Sequence, residues 1–155
     1  LPVYVERKYE GQKGSISWWL PVKMDAADRL KQKIPVPDPD AWNNRMHKIW
    51  VFDQLVSDAD ANLTNLLIGE NWQIWRVDFS RAFRLNKEPK DYKELVRCDR
   101  QLLQRLKALD GKEFTEKTKG YLDKDEVAAV MMRRDKIVER FQKLIAEKGE
   151  KEVLY

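Results

Sequence analysis

The sequence predicts an α+β fold, mostly helical, with two short β-hairpins. Through the second half of the chain apolar residues recur at three- and four-residue steps, the spacing of one buried helix face. In the first half, β-branched and aromatic residues gather in short runs on either side of glycine-containing turns, as hairpin strands do. Pro35, Pro37 and Pro39 impose an extended linker between the first of these regions and the helix that follows.

The first hairpin is expected to use Val3-Tyr4-Val5 and Ile16-Ser17-Trp18-Trp19-Leu20 as strands, with Glu10 to Gly14 as the turn. A two-stranded hairpin is marginal alone, so these strands call for partners. A short helix is expected from Ala26 to Lys33. Asp38-Pro39 reads as an N-cap followed by proline at the first helical position, opening a helix to about Ser57. Trp42, Met46, Ile49, Trp50 and Val56 fall on one face of that helix. Asp53 interrupts the stripe, and a carboxylate there needs a partner if it is buried. Leu66-Leu67-Ile68 and Gln73 to Val77 form the second predicted hairpin, around Gly69-Glu70-Asn71. Tyr92 to Leu109 and Val127 to Ile145 then read as two helices, the latter opened by a capping-box pair, Asp123 and Glu126. Asp110-Gly111 and Glu147-Lys148-Gly149 are the expected stops, with a short helical turn at Phe114 to Lys119 between.

At 155 residues the chain has the length of one domain, and 43% apolar with 36% charged residues describes a core beneath a charged surface. No apolar run approaches the length of a membrane span. The N-terminus lacks a signal-peptide pattern, so a soluble, cytoplasmic protein is expected. Cys98 stands alone, which excludes an internal disulfide and a cysteine-based zinc site. A single His47 removes most metal-hydrolase and Ser-His-Asp schemes. The net charge of +4 is spread thinly: residues 51–123 carry thirteen basic and thirteen acidic groups, so no basic stripe marks a nucleic-acid partner.

The stretch from Phe52 to Arg84 carries the most chemistry. Asp60 and Asn65 stand as D-x-x-x-x-N in a polar loop, and Asp78-Phe79 follows the second hairpin. Phosphoryl transfer needs a carboxylate to orient the attacking hydroxyl and oxygen ligands that hold Mg²⁺ against the phosphates. The order of helix, polar loop, short hairpin and V-D-F matches a protein-kinase catalytic loop followed by its D-F-G segment, with Ser80 in the glycine slot.

In these residues the chain resembles the C-terminal lobe of atypical kinases of the HipA-like and phosphatidylinositol 3/4-kinase-like group. Their catalytic loop typically reads F-D-x-L-(I/V)-x-N-x-D-R-(H/N)-x-x-N, followed by a strand ending in I-D-(H/x), and Phe52, Asp53, Leu55, Val56, Asp60, Asn62, Asn65 and Asp78 match. The resemblance is closer to a bacterial branch of that group, through Gly14-Ser15 to Trp19, the P-x-P-D linker, and D-x-x-R-A-F-R from Asp78 to Arg84. It implies a mostly helical kinase-like C-lobe with the N-lobe largely absent. Residues 1–20 would be a hairpin remnant of the N-lobe and hinge, 39–84 the catalytic-loop and metal-binding segment, and 91–155 a helical subdomain. It further implies ATP and Mg²⁺ as cofactors, Asp60 as catalytic base, Asn65 and Asp78 as metal ligands, and Trp19 and Leu20 near the adenine. The partner would be an unidentified hydroxyl acceptor.

The family has Asn at the slot of Asp58 and Arg at the slot of Ala61. Asp58 would raise nearby carboxylate pKa values or serve as a further metal ligand, and Ala61 removes a cation. The phosphate-covering loop and nucleotide-anchoring lysine have no counterpart in the sequence. The expectation is therefore a phosphotransferase lobe that is incomplete or weakly active alone, completed by a separate N-lobe partner or a homodimer. The alternative is a non-catalytic pseudokinase or protein-interaction module. A third reading, a helical protein-binding domain unrelated to kinases, requires Asp60 to lie far from Asp78.

Overall fold

A computed structural model describes residues 5–155. The fold is α+β, with helices predominating over two small antiparallel sheets. Strands β1 (Val5–Tyr9) and β2 (Gln12–Ile16) form a hairpin closed by Glu10-Gly11, both at positive φ (49° and 81°). Two residues in that conformation match the twist of the flanking strands, so the turn is tighter than Glu10 to Gly14 and Gly14 lies within a strand. The expected strand residues Val3 and Tyr4 lie outside the described residues. Trp18, Trp19 and Leu20 are not in a strand: a tight turn around Pro21, with the Val22 N–H donating to the Leu20 carbonyl at 2.9 Å, leads the chain into a new strand.

That strand, β3 (Val22–Asp25), joins β4 (Leu66–Gly69) and β5 (Ile74–Arg76) in a sheet of order β3-β4-β5. The β4–β5 pair is the expected second hairpin, with Leu67 opposite Trp75. Gly69 is required there, because a Cβ would stand 2.6 Å from the Gln73 side chain and 2.7 Å from the Trp75 ring. The β3 edge is a finding of the structure, since four residues of mixed polarity carry no strand signal of their own.

Helix α1 (Ala26–Lys31) is capped by Asp25, and α2 (Pro39–Val56) by Asp38, whose carboxylate accepts from the Ala41 N–H at 2.9 Å. Ser57, in the left-handed region at φ 50°, ends α2. The predicted Tyr92–Leu109 helix is broken. A single 3₁₀ turn at Tyr92–Glu94 gives way to an extended stretch, and α3 (Arg100–Ala108) starts only after its cap, Asp99. The C-terminus takes the place of helix there: the Cys98 N–H donates to the Val153 carbonyl (2.9 Å) and the Tyr155 N–H to the Cys98 carbonyl (3.2 Å). Asp110 likewise caps α4 (Gly111–Thr118) instead of stopping its predecessor. The long α5 (Lys124–Lys148) opens with the predicted Asp123/Glu126 capping box, and α6 (Glu150–Val153) follows.

Two apolar clusters result. One gathers Ala26, Met46, Leu66 and Ile68 under the three-stranded sheet. The larger joins Val51, Leu95, Leu106, Ile137 and Phe141 among the helices. Helix α2 contributes to both, and its C-terminal end leads straight into the loop that carries Asp60. No helix among the described residues is long and apolar enough to cross a membrane.

Candidate functional site

Arg76, the last residue of β5, turns into the protein with its side chain 5% exposed. Its Nε lies 3.2 Å and 3.4 Å from the two carboxylate oxygens of Asp53, and Nη2 bonds Asp58, whose side chain is fully buried. The same guanidinium donates to the carbonyls of Asp60 and Asn65, each at 3.4 Å, and to that of Val77. One fork of donors therefore ties α2, the polar loop and the end of the hairpin together. Asp53 is the buried acceptor that the break in the α2 stripe called for.

Two carboxylates share this one cation. Burial pushes the Asp53 carboxyl up to about 6, against the lowering effect of Arg76, and the Asp58 charge adds to the rise. Asp58 is not free to act as a ligand: its Oδ2 is held by Arg76, and its Oδ1 accepts from the Asp60 N–H at 3.0 Å.

Of the predicted site residues, Asp60 and Asn65 meet at this anchor, and Asp78 follows it directly in the chain. The Asn65 amide donates to the Asp60 carbonyl at 3.4 Å, and the Val77 N–H, next to Asp78, donates to the Asn65 carbonyl at 3.0 Å. The loop and the segment after β5 are further joined by Ala59 N–H to Arg81 carbonyl (3.2 Å). Asn62 caps the 3₁₀ turn Leu63–Asn65 and donates to Asp60 Oδ1 at 3.0 Å. Arg81 stands 3.8 Å from Asp60 Oδ2. Asp78 is exposed, in the left-handed region at φ 58°, and its Oδ1 accepts from the Ser80 hydroxyl (2.7 Å) and N–H (3.2 Å). Those hydrogen bonds, with the charges of Arg76 and Arg81 behind them, hold its carboxyl below the usual carboxylate range. Phe79 packs edge-on against Phe52 and lies over the Arg76 guanidinium.

Trp19 and Leu20 lie apart from this convergence, on the connection between β2 and β3, and Trp19 is 92% exposed. No group of three or more His, Cys, Asp or Glu side chains among the described residues is arranged around a common point. The donor set of the loop is instead mixed. Asn65 Oδ1 and Asp78 Oδ2 accept no hydrogen bond among the described residues, and such hard oxygens suit Mg²⁺. Arg76 is the site residue that sequence reasoning missed. The signal was indirect: Asp53 and Asp58 together required a buried cation.

Comparison with known proteins finds no family model that matches the chain, and no curated protein sequence matches it.

Proposed function

We propose that this chain is the large lobe of a kinase-like phosphotransferase that uses ATP and Mg²⁺ and is weakly active by itself. The observation that supports the reading is the lacing of the Ala59–Asn65 loop to the Val77–Arg81 segment through Arg76 and two backbone hydrogen bonds. Asp60 orients the acceptor hydroxyl and takes its proton. Asn65 and Asp78 hold the metal through their open oxygens, and the metal when bound neutralises phosphate charge. Arg81 supplies a cation beside Asp60 in place of the one lost at Ala61.

The non-catalytic alternative is favoured by one feature of the same loop. Both oxygens of Asp60 are engaged, one by the Asn62 amide and the other by the Arg81 guanidinium, so neither stands open to an acceptor hydroxyl. Thermal melting and ATP turnover separate the two readings. A ligand that binds only the native state raises the midpoint. The phosphotransferase reading expects a Mg²⁺-dependent rise with ATP that is lost in Asp78→Asn, together with slow turnover abolished by Asp60→Asn. A flat melt and turnover unchanged by Asp60→Asn sink it.

A further inference from the structure

Between α2 and the loop that follows Asp60, with Asp53 and Asn62 among its lining residues, is a cavity of about 330 Å³, within the range of small-ligand sites. Its floor is apolar, from Met46, Ile49, Leu66 and Leu95. Trp50 is part of its wall, and its ring makes a T-shaped contact with His47, with ring centres 5.2 Å apart. The charged lining is of one sign. Asp53, Asp91 and Glu94 all contribute, while no lysine or arginine among the described residues lines the space. Arg76, which engages Asp53, is not part of the wall.

The acidic rim is placed by local structure. Asp91 and Gln54 form a reciprocal pair, the Asp91 N–H donating to Gln54 Oε1 at 2.9 Å and the Gln54 amide to Asp91 Oδ2 at 3.3 Å. Glu94 follows on the 3₁₀ turn, its N–H on the Asp91 carbonyl at 3.0 Å. Its carboxylate makes no ion pair among the described residues. An apolar floor, a tryptophan in the wall and the Asp91 and Glu94 carboxylates, which make no ion pair among the described residues, complement one kind of small molecule: an ammonium on an apolar body. The indole face attracts such a cation through its quadrupole, and the rim attracts it through charge.

We propose that this cavity is a binding site for a small organic ammonium, seated with its apolar part on Met46 and Leu95 and its cation between Trp50 and Glu94. The site does not depend on the phosphotransferase reading. Calorimetric titration of the whole chain with 2-phenylethylamine at neutral pH and low salt tests it, with 2-phenylethanol as the uncharged counterpart. The ammonium is expected to bind one to one and about tenfold more tightly than the alcohol. Glu94→Gln, an exposed substitution that leaves the fold intact, should weaken the ammonium about tenfold and leave the alcohol unchanged. Leu63→Trp, at an exposed residue of the lining, should fill the space and remove both. Equal affinity for alcohol and ammonium would make the cavity an apolar site and overturn the proposal. Absence of ammonium binding, or binding indifferent to both substitutions, overturns it as well.

Discussion

Arg76 holds the loop by satisfying groups that otherwise have no water to turn to. Removing a guanidinium that faces two buried carboxylates leaves their charge uncompensated, which typically costs about 3–5 kcal/mol. Arg76→Met is expected to lose stability of that order in urea unfolding, and adding Asp53→Asn to it should recover part of the loss. The same pair sets a pH dependence. Asp53 in the folded protein titrates near 6, above its ordinary 3.8, so the native state binds this proton more tightly than the unfolded chain. Its contribution is therefore fully present below about pH 4 and is lost as pH rises through about 6. That difference is worth on the order of 2–3 kcal/mol. Asp78 and Asp99, whose carboxyls are held low, act in the opposite sense, so the measurement is the stability of the native sequence minus that of Asp53→Asn. This difference should fall between pH 4 and 6 and then level off. A flat difference would mean that Arg76 keeps Asp53 ionised throughout.

At the scale of elements, the parts legible in the sequence are those whose signals are local. Asp38-Pro39 opens α2, Asp123 and Glu126 open α5, and β4 pairs with β5 across Gly69, all through contacts a few residues apart. Asp38→Ala should cost about 1 kcal/mol in chemical denaturation, the usual loss of a cap. What escaped sequence reasoning is decided by partners far along the chain. β3 exists because β4 offers it an edge, and Leu95 to Asp99 stays extended because the C-terminus bonds Cys98. The same division runs through the loop. Asp60 and Asn65 stand out in the sequence as a polar stretch, whereas the charge that ties that stretch to Val77, Arg76, is paired only by folding. A second arginine works in this way from α5. Arg133, fully buried, donates to the carbonyls of Leu55, Arg84 and Asn86, fixing the end of α2 and the segment beyond Phe83. Arg133→Met leaves those acceptors without donors and is expected to cost about 3 kcal/mol, with protease cleavage near residues 84–90 as its first sign.

For the whole molecule, Cys98 is a built-in reporter. It is fully buried, and burial with the neighbouring Asp99 charge pushes its thiol up to about 12, far from the reactive thiolate. Under native conditions a thiol reagent should modify it only as fast as the surrounding structure opens. Deleting residues 153–155, which strips the strand partner from Cys98 and the Tyr155 hydroxyl bond to the Asn44 carbonyl, should speed that labelling at least about tenfold. Unchanged labelling would place its protection in the helices alone.

One rod, α2, lends residues to the nest beneath the sheet and to the larger nest among the helices. Neither half can come apart without fraying the beam on which the other rests. Heating should therefore melt the indole environment around Trp42 and Trp72 and uncover the thiol at one shared temperature, as a single cooperative event.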